Sequence, residues 1–588
     1  MAEKETQKTF STKEDSTPSS TKKNQKVTAE QLATKQRDIG VAEFFARNRH
    51  LLGFDNKRKA LLTTIKEAVD NSIDACEEAG ILPEISVEII DMENDRFRVI
   101  IEDNGPGIVK KQVARIFAKL LYGSKFHSLK QSRGQQGIGI SASVMYGQLT
   151  TGRPSKIMSK TASDVPAYWC DLKIDTAKNK PDILREGQKE WSKDHGTRIQ
   201  IDLDGYYQKG GQSVDEYLKE TAVVNPHVTI IYTNPRAEQI VFPRATTTQP
   251  KVAQEIKPHP YGVEFGVLQK LIETTKARSL QHFFTSEFSK VSPKVAKEIC
   301  ELARLLPSQK PSKIHHEDID RIAKAIPQVK IHAPSADCIS PITEKLLEKG
   351  IKKEINAEFY TSVSRQPCVY RGNPFQIEVA LAYGGDQPKD KQANVMRFAN
   401  RVPLLFQQGA CSVTKSIQSI NWKPYGLQQS RSALPVGPIT ILVHISSVWV
   451  PFTSESKEAI AHYPEIIDEI KKALQEAGRQ LARYTAKKSR VKSELKKRSY
   501  IQKYMVHVAT GLKDLLQLDK GDEDVLIRKL EHILEQKRGD LDTMEFDPSK
   551  NTEYDAEWAK IGKEETFDDD ATSDDAIVDD IKNKEDSK

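Results

Sequence analysis

The stretch EAVDNSIDA, residues Glu67 to Ala75, lies within a run of residues that has helical periodicity. Apolar residues recur in this run every three or four positions, the spacing at which side chains share one face of an α-helix. These residues are Leu62, Ile65, Val69, Ile73 and Cys76. We therefore predict one long amphipathic helix from about Lys57 to Ala79, ended by Gly80.

A second stripe of this helix is polar and contains Glu67, Asn71 and Asp74, at positions i, i+4 and i+7. A carboxylate in such a stripe can take a proton from an attacking water molecule. A carboxamide oxygen is a hard ligand that suits Mg²⁺, which keeps several waters and also binds phosphates. Taken alone, the stripe equally fits an ordinary solvated helix face.

Strands follow the helix. The runs EISVEII, from Glu84, and RFRVIIED, from Arg96, are separated by the polar turn DMEND and predict a hairpin. Further strands are predicted near Ala167–Ile174, Thr197–Leu203 and Val228–Tyr232. Helices mixed with a mostly antiparallel sheet indicate an α+β domain that ends near residue 245.

Two glycine-containing segments lie within this domain. In DNGPGI, Asp103 ends a predicted strand and can accept a hydrogen bond from an exocyclic amine, while Gly105 and Gly107 allow a positive φ or a close ligand. A plain turn is the other interpretation. In SRGQQGIGISAS, which starts at Ser132, glycines precede a possible helix start, where backbone N–H groups bind anions. This order is not that of a dinucleotide-binding βαβ unit.

Smaller features accompany these segments. Ser124 and Lys125, in YGSKFHS, are candidate phosphate or ribose contacts. Thr197, in HGTRIQI, opens a strand, and its hydroxyl could bond Asp103 or a water in an adenine pocket; a threonine at this place is also commonly structural.

In their order and spacing, these motifs resemble the GHKL ATPase family, which includes gyrase B, MutL, Hsp90 and sensor histidine kinases. The resemblance implies a Bergerat α/β sandwich that buries adenine and covers the triphosphate of ATP with a mobile lid. It implies that Glu67 is the general base, that Asn71 is the Mg²⁺ ligand, that Asp103 recognises adenine and that Arg133 to Ile140 form the phosphate-binding lid. The implied nucleotide contacts are Asn71, Asp74, Asp103, Gly105, Gly107, Ser124, Lys125, Arg133, Gly134, Gln135, Gln136, Gly137, Ile138, Gly139, Ile140, Thr197 and Lys423.

Segments outside the ATPase motifs indicate which branch of the GHKL family the chain resembles. WKPYGL, RGNPFQIEVALAYGG and FANRVPLLF resemble the transducer domain of the topoisomerase VI B-subunit family. The segment DIGVAEFFARNRHLLGFDNKRKAL resembles its N-terminal strap, and RYTAKKSRVKSELKKRSYIQKY its late helical region. In that family a lysine of the transducer reaches the γ-phosphate, and the resemblance assigns this role to Lys423.

The expected architecture is α+β and multidomain. Residues 1–29 are an expected disordered tail, 30–250 the strap and ATPase domain, 260–345 a helical helix–two-turns–helix insertion, 346–540 a transducer domain with long helices, and 541–588 an acidic disordered tail. The clearest transducer strands are expected in FQIEVALAYGG and PITILVHISSVWV, and residues from about Ser454 to Gln536 are expected to be helical.

The resemblance implies the ATP-hydrolysing subunit of a type IIB DNA topoisomerase. ATP would close a homodimer through the ATPase domains and drive passage and relaxation of double-stranded DNA. The DLDG sequence at Asp202 continues a predicted strand and is interpreted as a turn, so cleavage is expected from a Spo11-like A subunit in an A2B2 heterotetramer. The expected location is the cytoplasm, at an archaeal-type nucleoid.

The uneven charge of the chain suits a polyanionic partner such as DNA, and it fits ordinary solubility charge equally well. The segment from Glu564 to Lys588 has 11 acidic and 3 basic residues, so its charge of −8 leaves +15 on the rest of a chain whose total is +7. A basic run with tyrosines nearby could contact DNA phosphates, or form a solvated helix face: Lys487, Lys488, Arg490, Lys492, Lys496, Lys497 and Arg498. The 6 cysteines form no CxxC pair, and no apolar run is long enough to span a membrane.

Two other functions remain open at this stage: a chaperone-like or scaffolding GHKL protein that uses ATP only as a clamp, and a mismatch-repair clamp of the MutL kind. The WKPYGL segment and the helical insertion argue against both. A histidine kinase is disfavoured because no histidine lies in a dimerisation helix ahead of the ATPase segment.

Overall fold

A computed structural model describes residues 29–34, 39–125, 128–134, 137–454, 456–517 and 519–538. The chain divides into two compact units, 1–486 and 487–588. The two predicted tails lie outside the described residues apart from Ala29, and so do Gln135 and Gln136. Among the helices that are described, none is long and apolar enough to cross a bilayer.

The first part of the chain forms an eight-stranded sheet with the order β5-β4-β3-β6-β2-β1-β7-β8. Its strands are β1 (Glu84–Asp91), β2 (Arg96–Asp103), β3 (Ser155–Lys160), β4 (Ala167–Asp175), β5 (Lys180–Lys189), β6 (Gly196–Asp204), β7 (Thr229–Thr233) and β8 (Gln239–Phe242). Neighbouring strands are antiparallel except β1 and β7. The associated helices are α1 (Ala29–Ala33), α2 (Val41–Arg47), α3 (Lys57–Glu78), α4 (Lys110–Ala118), α5 (Gly139–Thr151) and α6 (Val214–Val224).

The predicted long helix is confirmed as α3. Asn56 caps its N-terminus by accepting a hydrogen bond from Lys59 N, and all five residues of the predicted apolar stripe are buried. Strands β1, β2, β4, β6 and β7 lie where they were predicted, whereas β3, β5 and β8 were missed. Strand β5 is an edge strand that is exposed on nearly all its length, so its sequence has no apolar alternation.

Helices follow from residue 265, with a core that contains Phe283, Phe284, Ile299 and Ile322. They are α7 (Phe265–Thr274), α8 (Leu280–Glu287), α9 (Pro293–Leu302) and α10 (His316–Ala325). This agrees with the predicted helical character of 260–345. The expected boundary at 346 falls inside α11 (Glu344–Glu354).

A second sheet has the order β10-β11-β14-β12-β13, and β9 also pairs with β11. Its strands are β9 (Phe359–Ser364), β10 (Cys368–Tyr370), β11 (Asn373–Tyr383), β12 (Asn394–Ala399), β13 (Val402–Pro403) and β14 (Ile439–Ser447). The later helices are α12 (Ser412–Ser419), α13 (Pro464–Leu516) and α14 (Lys520–Arg538). The start of α13 packs on this sheet through Ile466, Ile470 and Leu474.

The helix predicted from Ser454 begins only at Pro464. Residues 454 and 456–463 form a loop, and Lys457 within it has a φ of 54°, a left-handed conformation that no α-helix contains. Proline is well suited to the first turn of a helix, which fits the start of α13 at Pro464.

Helix α11 joins the two sheets. It packs on α6 of the first α+β segment and on β9 and β11 of the second. A side chain at Gly350 would place its Cβ 2.0 Å from Val223 O, so this close helix approach requires glycine. The two sheets are thereby held next to each other.

Candidate functional site

A cavity of about 630 Å³ lies between α3, the end of β2, α5 and a loop of the second α+β segment. Most of the predicted nucleotide contacts line it: Glu67, Asn71, Asp103, Gly107, Ser124, Lys125, Gly134, Gly137, Ile138, Gly139, Ile140 and Thr197. Asp74, Gly105, Arg133 and Lys423 are not among the lining residues. A pocket of this size, with polar groups on a partly apolar wall, suits a cofactor-sized ligand.

At one end of the cavity, the buried carboxylate of Asp103 is held by three hydrogen bonds. Oδ2 accepts from Ser72 Oγ at 2.8 Å, and Oδ1 accepts from Gly105 N at 2.9 Å and from Thr197 N at 3.1 Å. Burial raises the pKa of Asp103 against the opposing effect of these bonds. The carboxylate is thus fixed as an acceptor facing an apolar slot.

Thr197 contacts Asp103 differently from the prediction. Its backbone N–H, and not its hydroxyl, donates to the carboxylate, while Oγ1 lies 3.4 Å from Ser159 Oγ. Ser72 was missed because it is one of many polar residues on α3 and has no distinguishing spacing. Gly105 contributes through its backbone N–H, behind Asp103.

Glu67 and Asn71 lie on the cavity side of α3. The Oε1 atom of Glu67 is 3.3 Å from Lys66 Nζ, and a Cβ built on Gly139 would lie 1.7 Å from its Oε2 atom. Asn71 is exposed, with Oδ1 close to Gly134 of the glycine-rich segment. The predicted carboxylate–carboxamide stripe therefore faces the glycines that were predicted to cover a triphosphate.

The start of α5 forms a wall of the cavity whose chemistry suits an anion. The helix begins at Gly139, so its first backbone N–H groups lack partners within the helix and its dipole favours negative charge. Lys125 lines the cavity and donates to Asp74 Oδ2 at 2.8 Å. Burial opposes the charge of Lys125, but Asp74 and Glu78 outweigh it and raise its pKa.

Asp74 and Arg133 are placed away from the cavity, in a buried ion cluster. Arg133 donates from Nη1 to Asp74 Oδ1 at 2.6 Å and to Glu77 Oε2 at 2.9 Å, and from Nη2 to Glu77 Oε1 at 2.8 Å. Its Nη2 also donates to Asn225 Oδ1 at 2.6 Å. A guanidinium so enclosed is positioned to hold the start of the lid on α3 instead of contacting phosphate directly.

Glu77 is the centre of this cluster. His227 Nε2 lies 2.8 Å from Oε1, and Arg401 Nη1, from the second α+β segment, lies 3.7 Å from the same atom. Burial would raise the pKa of Glu77, but Arg133 and His227 outweigh it and hold the pKa well below its ordinary value. The resulting stabilisation is present at neutral pH and is lost as the pH falls through this lowered pKa.

Lys423 lies in an exposed turn, Lys423–Tyr425, next to the buried Trp422. The cavity instead receives Ser456, Lys457 and Glu458 from the loop before α13. Lys457 Nζ is 3.4 Å from Arg133 O, and Glu458 Oε1 accepts from Lys59 Nζ of α3 at 2.8 Å. Sequence reasoning missed Lys457 because its segment was predicted to be helical.

Among the described residues, no group of three or more histidine, cysteine, aspartate or glutamate side chains is arranged to hold a metal ion. Mg²⁺ keeps several waters and needs few protein ligands, so one carboxamide can hold it together with the phosphates of a nucleotide. Asn71, exposed beside the glycine-rich segment, has the right donor for that arrangement.

Comparison with known proteins gives matches to both α+β segments. Residues 56–204 match the family described as histidine kinase-, DNA gyrase B-, and HSP90-like ATPase. Residues 334–497 match the family described as topoisomerase VI B subunit, transducer. The first range contains Glu67, Asn71 and Asp103, and the second contains Lys423 and Lys457.

Curated relatives match along most of the chain, and each is named as the B subunit of type 2 DNA topoisomerase 6. The protein of Methanosarcina acetivorans is 48% identical over 503 residues, which cover 85% of this chain and 81% of the relative. That of Archaeoglobus fulgidus is 44% identical, with coverage of 86% and 85%. That of Pyrococcus horikoshii is 38% identical, with coverage of 80% and 91%.

Replacing Gly139 tests the position of Glu67. We expect Gly139→Ala to slow ATP hydrolysis by about 10²-fold, because the new methyl group displaces the Glu67 carboxylate, and small displacements of a reacting group have costs of this size. Steady-state hydrolysis measures the effect, with Gly211→Ala as the control because a Cβ there meets open space. A native rate in Gly139→Ala would contradict the proximity of these two residues.

Replacing Arg133 tests the ion cluster. We expect Arg133→Leu to lower the free energy of unfolding by about 3–5 kcal/mol, because it leaves Glu77 and Asp74 buried without their main countercharge. Urea unfolding measures the loss. The control is Arg47→Leu, which breaks an exposed pair with Glu43 and should cost about 1 kcal/mol or less. Equal effects of the two substitutions would count against a special role of the cluster.

Proposed function

The chain belongs to the family of type 2 DNA topoisomerase 6 B subunits, and from this premise we propose how its residues bind and hydrolyse ATP. It is the ATPase subunit of topoisomerase VI, a type IIB topoisomerase. One observation supports the assignment of residues most strongly: a single cavity contains the Asp103 carboxylate, the Glu67–Asn71 stripe, the start of α5 and a lysine loop from the transducer segment.

The nucleotide is proposed to lie across the cavity with its adenine against Asp103. The fixed carboxylate accepts a hydrogen bond from the exocyclic amine of adenine. The apolar wall around the base is formed by Ile101, Ile138 and Ile199. The phosphates then extend towards Gly137 and Gly139, where the N-terminus of α5 stabilises negative charge. Ser124 and Lys125 lie at the same wall.

Glu67 is proposed to be the general base that removes a proton from the attacking water. Asn71 is proposed to hold Mg²⁺, which neutralises charge on the phosphates when it is bound. The close packing of Oε2 against Gly139 supports this role, because it brings the carboxylate next to the expected position of the terminal phosphate.

Lys457 is proposed to contact the γ-phosphate, in place of Lys423. It lines the cavity, whereas Lys423 lies in an exposed turn. A nucleotide can shift a conformational balance only by its different affinity for the two states. A lysine that the transducer segment contributes to the γ-phosphate site supplies such a difference, because ADP lacks that phosphate.

The family assignment also suggests how the chain divides into domains. Residues 30–250 are proposed to form the strap and ATPase domain, 260–345 the helix–two-turns–helix insertion, and 346–540 the transducer domain with its long helices. ATP is proposed to join two chains through their ATPase domains, with each strap embracing the other chain.

Family membership implies two kinds of partner, DNA and the family's A subunit. We propose an A2B2 heterotetramer in which the A subunits cleave one duplex and ATP-driven closure passes another duplex through the break. The basic run from Lys487 to Arg498 on α13 is proposed to contact DNA phosphates. Action on chromosomal DNA would place the complex at the nucleoid, in the cytoplasm.

A scaffold or a mismatch-repair clamp is less well supported. Both would use the ATPase segment, but the match of residues 334–497 is to the topoisomerase VI transducer. Relatives that match over 85% of the chain have the topoisomerase name as well. These comparisons favour the topoisomerase over the other two functions.

Glu67→Ala tests the function directly. We expect it to bind ATP but to hydrolyse it at least 10²-fold more slowly, the scale of a general base. The chain is mixed with supercoiled DNA and with the A subunit of a family member, and hydrolysis and relaxation are measured together. DNA-independent hydrolysis without relaxation by the unsubstituted chain would favour the scaffold, and unchanged turnover in Glu67→Ala would refute the base.

Lys457→Ala and Lys423→Ala form a matched pair of variants. We expect Lys457→Ala to lose about 10–100-fold of the preference for a non-hydrolysable ATP analogue over ADP, because a charge-assisted hydrogen bond is worth about 1.5–3 kcal/mol. Lys423→Ala should keep the native preference. Equilibrium binding of both nucleotides to the DNA-free chain measures it, and the opposite pattern would return the role to Lys423.

A further inference from the structure

Lys66 precedes Glu67 on α3, and its ammonium group lies between two carboxylates. Nζ donates to Glu67 Oε1 at 3.3 Å and lies 3.7 Å from Asp70 Oδ2. Burial opposes the charge on Lys66, but Glu67 and Asp70 outweigh it, so the pKa of Lys66 is raised above its ordinary value. The residue is therefore a cation, and it lines the same cavity as Glu67.

The other side of this ammonium group is fixed by α6. Tyr217 donates from its hydroxyl to Asp70 Oδ1 at 2.9 Å, and it is almost fully buried. Asp70 is also buried. A buried tyrosine thus orients the Asp70 carboxylate, and this carboxylate in turn limits where Lys66 can lie. The contacts form a chain from α6 through Asp70 and Lys66 to Glu67.

Glu67 is consequently held from two directions. Its Oε1 atom faces Lys66 Nζ, and its Oε2 atom packs against Gly139 at the start of α5. A glutamate side chain on a helix surface has several rotamers, and fixing it in one of them removes a conformational cost from the reaction. Oε2 is the oxygen that faces the anion-binding wall.

Charge gives Lys66 a second effect. A triphosphate brings several negative charges to the wall beside Glu67, and two like charges a few ångströms apart repel each other strongly in a partly buried site. The ammonium group of Lys66 lies on the carboxylate and offsets part of this repulsion. It can therefore keep Glu67 near the phosphate when ATP is bound.

We propose that Lys66 is a positioning residue that holds the Glu67 carboxylate in its reactive place beside the bound triphosphate. This inference rests on the proposed role of Glu67 as the general base. Lys66 acts through Glu67 and does not itself contact the reacting atoms. Asp70, on α3, and Tyr217, on α6, support it.

The test separates turnover from binding in the full chain. We expect Lys66→Met to lower kcat for ATP hydrolysis by at least about tenfold, an increase in the barrier of about 1.4 kcal/mol. Its affinity for a non-hydrolysable ATP analogue should stay within about threefold of native, because adenine and phosphate contacts remain. Lys66→Arg should restore most of kcat, because it keeps the charge and the reach.

The matched control is Lys57→Met, on the same helix. Lys57 forms an exposed pair with Asp95 at 3.1 Å, outside the cavity, so kcat should not change. Tyr217→Phe should reduce kcat less than Lys66→Met, because it removes only the bond that orients Asp70. If Lys66→Met lowers the melting temperature, Lys66→Gln takes its place with the same expectation.

Three results would overturn the inference: native kcat in Lys66→Met, a faster rate in that variant, or equal losses of kcat and affinity without rescue by arginine. They differ from a failure of the proposed function, in which the unsubstituted chain itself would neither bind nor hydrolyse ATP. The unsubstituted chain is therefore measured first, under the same conditions.

Discussion

The bidentate ion pair between Arg133 and Glu77 is the interaction on which the rest of the site depends. Both groups are largely removed from water, so each would be costly without the other. Asp74 and Asn225 accept further hydrogen bonds from Arg133, and His227 lies within hydrogen-bond distance of Glu77, which offsets part of the cost of burial. The pair fixes the start of the lid on α3, the helix that carries Glu67 and Asn71.

The Glu77 carboxylate also forms an ion pair with the second α+β segment. Arg401 lies near Glu77 and donates from Nη2 to Ser340 O at 3.0 Å, while its backbone N–H donates to His444 Nε2 at 2.9 Å. Because Nε2 accepts, Nδ1 of His444 carries the proton and donates to Glu378. A continuous buried polar network therefore runs from the transducer sheet to the lid, so these parts cannot move independently without breaking charge-assisted bonds.

The sequence predicted the parts of the site that depend on local pattern. α3 with its two stripes, Asp103 at a strand end and the glycines before α5 all lie where periodicity and turn chemistry predicted them. Residues whose roles come from distant contacts could not be found this way. The sequence around Arg133 does not show that its guanidinium bonds Glu77 and Asn225, which lie far away along the chain. Strand β5 was missed for a different reason, because it is an edge strand without an alternating apolar pattern.

The lysine that faces the cavity shows why such contacts escape a linear pattern. Lys423 lies in a tight turn that its sequence makes recognisable, because Trp422 is buried and donates to Ile417 O at 2.8 Å and Gly426 has a positive φ. The sequence around Lys457 contains no recognisable motif. The neighbouring Glu458 forms an ion pair with Lys59 of α3, and this pair brings the loop to the cavity. Lys457 meets the backbone carbonyl of Arg133, and a phosphate group would compete with that carbonyl for the ammonium group. Since Arg133 also anchors the lid to Glu77, such competition would act at the point where the proposed nucleotide site, the lid and the transducer segment meet.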